Sequence, residues 1–206
     1  MRKRNENESI ANFSPIASLL KQNNSLEEKL VAIYKWVRDL PYEVRLDPVA
    51  NCYENLAYIK TNKRGSCSPK HYLLGAIYEE LEVSVEYLTY PFYWYELPVI
   101  FPYYLKKLAE KVPLTYHLAI RICFKDEKIF LDATWDSPLE KAGFPINKIG
   151  DKLVNTRNAI VPCGECIIHK NVLERDAYIK TRKTNTEANF QFYIALNAWL
   201  EDLRKI

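Results

Sequence analysis

Three residues of the sequence could together perform thiol chemistry, and Cys67 is the first of them. It follows the turn Arg64-Gly65-Ser66 and precedes Pro69, a residue type that suits the first turn of a helix. A thiol must ionise to act as a nucleophile, and the free N–H groups and dipole of a helix N-terminus favour the thiolate. The same N–H groups can hold the oxyanion of a tetrahedral intermediate. By itself this position fits an inert buried cysteine at least as well as a nucleophile, and it is the segments downstream that favour the nucleophile.

A cysteine nucleophile needs a base, and the base needs a partner that orients its ring. His117 begins an alternating segment that predicts a strand, and Asp132 ends the segment expected to return beside it. If Lys125-Asp126 forms a two-residue loop, Asp132 pairs with Ala119 and shares a sheet face with His117. A three-residue loop would place the two side chains on opposite faces. The spacing leaves this register open.

Three short motifs resemble those of the transglutaminase-like superfamily. They are Arg64-Gly-Ser-Cys67 at a predicted helix start, Tyr116-His117-Leu-Ala-Ile on a strand, and Leu131-Asp132-Ala-Thr-Trp135 on the next. The order Cys, His, Asp matches that family, and the resemblance spans residues 26–136. It implies a papain-like α+β fold and an acyl-transfer site. Cys67 would be the nucleophile, His117 the general base and then acid, and Asp132 the orienter of His117.

The activity that this resemblance implies is that of a cysteine protease, amidase or acyltransferase. A protein, peptide or other amide substrate would form a thioester on Cys67, and the acyl group would pass to water or to an amine. This chemistry requires no cofactor. Two alternatives stay open: a catalytically inactive transglutaminase-like module that binds peptide, and an acyltransferase like the related arylamine N-acetyltransferases, which also approach their cysteine through an Arg-Gly-rich turn.

Other residues near the motifs could take part in the same chemistry. His71 lies one helical turn after Cys67, but a base generally faces its nucleophile from another element, so a structural role is favoured. Asp136 is a second possible orienter, ranked below Asp132 because it lies past the predicted strand end. No second oxyanion donor is assigned, and the upstream candidates are Asn51, Tyr53 and Asn55.

Cys163 and Cys166, followed by His169, have the spacing of half a zinc site. A structural zinc site needs four ligands, and a redox dithiol should stand between a strand and a helix, whereas the residues that follow predict a strand. We therefore interpret the pair as a turn with two incidental cysteines and expect no metal. A zinc site and a redox pair are the alternatives.

Residues 87–104 hold nine aromatic residues and three prolines, a composition typical of neither a regular helix nor a regular strand. The segment could complete the core, since aromatic side chains bury large areas. It could equally form an apolar surface over the groove. In the second case Tyr93, Trp94, Tyr95 and Trp135 are the expected substrate-binding residues.

The surrounding pattern predicts the elements that position these residues. A capping box at Ser25 and Glu28 opens an amphipathic helix that Pro41 ends, and a second helix should run from Cys67 to about Leu81. Weaker helices are expected over 15–22 and 48–60, strands over 83–90 and within 154–170, and a closing helix from about Glu187. Helices, then antiparallel strands, then a C-terminal helix indicate an α+β fold with N-terminal helices packed on the sheet.

Composition excludes several classes of protein. The chain has 206 residues, of which 48% are hydrophobic and 27% charged, and a net charge of +3 without a Lys/Arg block, so no nucleic-acid partner is expected. No long apolar run predicts a membrane span and no secretory signal is visible, so a cytoplasmic protein is expected. We predict a flexible arm over 1–9 and one domain over 10–206, with the core motifs in 26–136 and a C-terminal extension over 137–206.

Overall fold

The computed structural model describes residues 24–46, 51–182 and 186–205. The arm predicted over 1–9 and the short helix predicted over 15–22 lie outside these residues. No helix within the described ranges has the length and apolar character needed to cross a membrane.

Within the described ranges three helices precede the sheet, and the sequence predicts a helix at each of these places. Helix α1 (Leu26–Arg38) begins at the capping box, in which the Glu28 N–H donates to Ser25 Oγ at 3.3 Å and the Ser25 N–H donates to the Glu28 carboxylate at 2.8 Å. Helix α2 (Cys52–Asn62) is capped by Asn51, and helix α3 (Cys67–Glu80) carries the candidate nucleophile as its first residue.

The sheet has four antiparallel strands in the order β3-β2-β1-β4. The strands are β1 (Ser84–Phe92), β2 (Thr115–Phe124), β3 (Glu127–Leu131) and β4 (Ile167–His169). Helices packed on an antiparallel sheet confirm the predicted α+β class.

The β2–β3 hairpin resolves the register that the spacing left open. Lys125 and Asp126 form a two-residue loop, and both have positive φ, 52° and 64°. This is the backbone of a type I′ turn, which matches the twist of the paired strands. Phe124 therefore pairs with Glu127 and Ile120 with Leu131. Asp132 follows directly and falls opposite Ala119, which is the register that lets it meet His117.

Two segments differ from the sequence-based expectation. The aromatic segment is divided among the end of β1, a 3₁₀ helix (Trp94–Glu96) and helix α4 (Tyr103–Ala109). Residues 154–166 form no strand, and only β4 is extended. The segment does run beside β3, but the Asn155 side chain accepts from the Phe130 N–H at 2.7 Å and the Thr156 hydroxyl accepts from the Asp132 N–H at 2.8 Å. One backbone bond, from the Thr156 N–H to the Phe130 carbonyl at 2.9 Å, joins the two segments, and these side chains supply the other contacts.

Two apolar clusters flank the region where the motifs meet. The first joins α1, α2 and α3 to the sheet, and the second surrounds Trp135. The second cluster is closed by α4, by a 3₁₀ helix (Ser137–Ala142) and by the C-terminal helix α6 (Glu187–Arg204). Helix α5 (Val172–Lys180), which the sequence analysis did not predict, precedes α6 and packs on α2, β1 and β4.

Candidate active site

The turn before α3 fixes the position of Cys67. The Gly65 N–H donates to the Pro41 carbonyl at 3.0 Å, and the Glu43 N–H donates to the Gly65 carbonyl at 3.3 Å, so the turn is tied to the chain that leaves α1. A Cβ on Gly65 would lie 2.7 Å from Pro69 Cγ, and this close approach requires glycine. Ser66 makes no side-chain capping bond and Pro69 has no N–H. The first-turn amides are thus left for a ligand.

The structure brings Cys67, His117 and Asp132 together. His117 Nε2 lies 2.8 Å from Asp132 Oδ2, and the imidazole is close enough to the Cys67 thiol for the two groups to shift each other's pKa. Because Nε2 bonds the carboxylate, Nδ1 is the ring nitrogen left for the thiol. His117 and Asp132 are buried, whereas Cys67 is half-buried at the surface of a cleft. This is the arrangement of nucleophile, base and orienter.

The three groups shift one another's protonation. Burial alone would lower the pKa of His117, but Asp132 and the thiol outweigh it and raise that pKa to about 10. Burial would likewise raise the pKa of the Cys67 thiol, yet the hydrogen bond and charge of His117 bring it below the usual value. The resting site therefore favours a thiolate–imidazolium pair.

Asp132 is held by more than the histidine. Its Oδ1 accepts from the Thr134 hydroxyl at 2.6 Å, and its Oδ2 accepts from the Ala159 N–H at 2.8 Å. Burial opposes ionisation, but His117 and these donors lower the pKa of Asp132 to about 2. The backbone carbonyl of Asp132 accepts from the Tyr34 hydroxyl at 2.8 Å, which anchors the end of β3 to α1.

His71 has a structural place beside the triad. Its Nδ1 donates to the Cys67 carbonyl at 2.8 Å, and its Nε2 accepts from the Ala133 N–H at 2.9 Å. These two bonds require the neutral ring, and burial lowers the pKa of His71 to about 4. His71 therefore joins α3 to the segment after β3, and Nε2 has no free lone pair with which to serve as a base.

The neighbouring Lys70 and Asp136 also tie elements together. Lys70 is fully buried, and its Nζ donates to the carbonyls of Arg38, Leu40 and Thr134 at 2.7–2.9 Å. Asp136 accepts from Arg204 in a two-pronged ion pair, with both contacts at 2.8 Å. The carboxylate of Asp136 is thus turned to α6, and the structure does not bring it to His117 as the alternative orienter.

A cleft of about 600 Å³ opens beside Cys67 and His117. Trp94 and Trp135 contribute to its wall, whereas Tyr93 and Tyr95 stack on each other at 5.3 Å outside its lining. The structure therefore places two of the four expected substrate-binding residues in the cleft lining and the other two outside it. Tyr93 and Tyr95 flank Trp94 in the sequence, and of these three rings only that of Trp94 belongs to a residue of the cleft lining.

The candidate oxyanion donors are divided in the same way. Asn51 and Asn55 line the cleft, whereas Tyr53 is 68% exposed and lies outside it. Asn51 caps α2 through its side-chain oxygen Oδ1, which accepts from the Glu54 N–H. Asn55 Nδ2 donates to the backbone carbonyl of Asn51 at 3.0 Å. The side-chain amide of Asn55 has a second N–H, which this hydrogen bond does not use.

Cys163 and Cys166 lie away from the triad and from the cleft lining. Cys163 is exposed and Cys166 is half-buried, while His169 Nε2 is 3.2 Å from the Thr89 hydroxyl. Among the described residues, no group of three or more His, Cys, Asp or Glu side chains is arranged to hold a metal ion.

Sequence reasoning missed the charged residues of the cleft wall, among them Arg175 on α5. A signal for its helix was present, because Asn171 and Glu174 have the spacing of a capping motif. The Asn171 side chain accepts from the N–H of Glu174 at 3.0 Å, and the Glu174 carboxylate accepts from the Lys170 N–H at 2.8 Å.

Comparisons with known proteins give a distant structural resemblance. No family profile matches the chain, and no curated protein matches it. Among solved structures, the chain is similar to a protein from Cytophaga hutchinsonii described as a putative cysteine protease. The identity is 16% and the TM-score 0.41, over 77% of this chain and 46% of that one. The chain thus spans less than half the length of that protein.

Proposed function

We propose that the chain is a cysteine-dependent enzyme that cleaves an amide bond through a thioester on Cys67. The observation that carries the proposal is the buried His117–Asp132 pair beside the Cys67 thiol, with the thiol at both a helix N-terminus and a cleft. An inert cysteine would need neither a buried imidazole beside it nor a buried carboxylate behind that imidazole.

The geometry assigns a role to each group in the reaction. The Cys67 thiolate attacks the substrate carbonyl carbon, and the resulting oxyanion is held by N–H groups at the start of α3. The C–N bond breaks as protonated His117 gives its proton to the leaving amine. His117 then takes a proton from water, which attacks the thioester and releases the acid and the thiol. Asp132 keeps the ring of His117 in one orientation through both steps.

Alkylation of Cys67 by iodoacetamide across pH tests this proposal, with the modified residue mapped by peptide mass spectrometry. We expect Cys67 in the wild-type chain to react selectively near or below neutral pH, because the thiolate is already present there. In His117→Ala the reaction should require a pH near that of an ordinary thiol. Exposed Cys123 serves as the reference within the same molecule.

A rate at Cys67 that matches the rate at Cys123 throughout the pH range, with no effect of His117→Ala, would overturn the proposal. It would favour a binding module that retains the cleft without an activated thiol. If the expected profile is found, peptide amides should be screened for cleavage, with Cys67→Ser as the matched inactive control.

A further inference from the structure

Arg175 is a buried cation in the wall of the cleft that also contains Cys67. It is 3% exposed, and its Nη1 donates to the Tyr72 hydroxyl at 2.9 Å. The guanidinium lies 5.6 Å from the centroid of the same ring. No described residue accepts a hydrogen bond from its Nε or its Nη2, and the Nε atom is fully buried. One edge of the guanidinium is therefore without an acceptor.

The neighbouring carboxylate does not satisfy that edge. Asp176 Oδ2 accepts from the Cys52 N–H at 2.6 Å, and its Oδ1 accepts from the Tyr72 hydroxyl at 3.0 Å. The Tyr72 oxygen thus lies between the two charges, donating to Asp176 and accepting from Arg175. Leaving a buried guanidinium donor unpaired costs free energy, and an incoming acceptor would recover it.

The unpaired edge has the shape of a carboxylate receptor. Nε and Nη2 lie on the same side of a guanidinium, and two parallel N–H bonds from that side match the two oxygens of a carboxylate. Lys180, the last residue of the same helix, and Arg182, just beyond it, also line the cleft and add positive charge to this wall, which further contains the acidic Asp176 and Glu187. Arg175 is also close enough to Cys67 for its charge to favour the thiolate.

We propose that Arg175 binds a carboxylate of the substrate, so that the amide cleaved at Cys67 lies near a free carboxylate. Peptides with a free C-terminus or an acidic side chain beside the scissile bond belong to this class. The inference rests on the proposed function, because it places the scissile bond at Cys67. Arg175 is then a specificity-determining residue for that reaction.

Two alkylating reagents that differ only in charge test the inference. Iodoacetate carries a carboxylate and iodoacetamide its neutral amide, and with both the Cys67 sulfur forms a bond to the CH₂ carbon as iodide leaves. We expect the ratio of iodoacetate to iodoacetamide rates at Cys67 to exceed the ratio at exposed Cys123 by about tenfold, the effect of one charge-assisted hydrogen bond. The iodoacetamide rate alone reports the activation of the thiol.

Three variants identify the source of the preference. Arg175→Gln should reduce the ratio of rates at Cys67 to the ratio at Cys123. Arg175→Lys should give an intermediate ratio, because lysine keeps the charge but lacks the two parallel N–H donors. The paired substitutions Lys180→Gln and Arg182→Gln should leave most of the preference in place. Equal ratios at Cys67 and Cys123 in the wild-type chain would overturn the inference. A preference for iodoacetate that persists in Arg175→Gln but disappears when Lys180 and Arg182 are replaced would also overturn it.

A binding measurement separates this inference from the proposed function. In Cys67→Ser, which has no thiol to react, N-acetylglycine should bind and its amide, N-acetylglycinamide, should bind about tenfold more weakly by calorimetry. The difference should vanish when Arg175→Gln is added. Carboxylate binding without an activated thiol would contradict only the enzymatic proposal, and an activated thiol without carboxylate preference would contradict only the role of Arg175.

Discussion

Two histidines lie beside Asp132, and their hydrogen bonds decide which of them carries a proton. His117 directs Nε2 to the carboxylate at 2.8 Å, so its cationic form is stabilised. His71 Nε2 is 3.7 Å from the same carboxylate, but it accepts a backbone N–H and must remain neutral. The same carboxylate thus lies beside one charged and one neutral imidazole, because only His117 directs a ring N–H to it.

The stability contributed by His117 should depend on pH with a definite sign. Although burial opposes protonation, pairing raises the pKa of His117 from 6.5 to about 10. A pKa raised by folding contributes stability that is complete below pH 6.5 and is lost as the pH rises to about 10. Because the Cys67 thiol gives up its proton while His117 keeps one, the comparison is made in the Cys67→Ser chain, where the free energy of unfolding lost on adding His117→Gln should shrink as the pH rises above 6.5. Urea titrations at each pH measure it, and a difference that grows with pH would contradict the pairing.

Substitution of His71 should affect stability rather than the acidity of the thiol. His71→Leu leaves the Cys67 carbonyl and the Ala133 N–H buried without their partner, at about 1–3 kcal/mol for each group. We expect the midpoint of urea unfolding to fall while the pH dependence of Cys67 alkylation keeps its shape. If His71 acted as the base, the pH profile would move as it does in His117→Ala.

At the scale of the elements, the two-residue turn between β2 and β3 decides whether the triad can form. Both turn residues have positive φ without being glycine, a conformation that costs free energy for residues with a Cβ. Asp126→Gly should relieve that cost and raise the free energy of unfolding by about 0.5–1 kcal/mol. Urea unfolding measures the gain, and the alkylation profile of Cys67 should not change. A loss of stability would mean that the register depends on the Asp126 side chain.

Helices α1 and α3 and the hairpin could be predicted because their signals are local. The capping box at Ser25 and Glu28, the turn at Gly65 and the alternation through His117 each lie within a few residues of the element they define. The spacing alone could not choose between a two- and a three-residue turn, because Lys125 and Asp126 are not the residues that a type I′ turn prefers.

The contacts that lock the site could not be predicted, because they join distant parts of the chain. Lys70 lies 30 positions from Leu40 and 64 from Thr134, yet it holds both carbonyls. Arg175 is 103 positions from Tyr72. A buried lysine or arginine also runs against the general tendency of these residues to be exposed, so its type alone predicts a surface position. Such residues become informative only once the packing around them is known.

Across the whole molecule, the cleft is assembled from segments far apart in the sequence. The Cys67 turn and β2 form one side, α5 contributes Arg175, and the C-terminal helix α6 contributes Phe190 and Tyr193. The C-terminal part of the chain, beyond the three motifs, thus takes part in the cleft as well as in the second apolar cluster, where Phe192, Leu196 and Leu200 are fully buried.

The docking of α6 depends on a buried ion pair that can be tested on its own. Arg204 contacts both oxygens of Asp136 at 2.8 Å and the Tyr42 carbonyl at 3.0 Å, and Asp136 is 1% exposed. Arg204→Ala leaves that carboxylate buried with its charge uncompensated, so we expect a loss of about 3 kcal/mol in the free energy of unfolding. Urea unfolding gives the value.

A neighbouring pair on the same helix provides the matched control for Arg204. Lys205 contacts Asp202 at 2.8 Å, but both side chains are 71% exposed, so Lys205→Ala should change stability little. Arg204→Lys should fall between the two alanine variants, because it keeps the charge and loses the two-pronged contact. Equal effects of Arg204→Ala and Lys205→Ala would mean that apolar packing alone holds α6 against the domain.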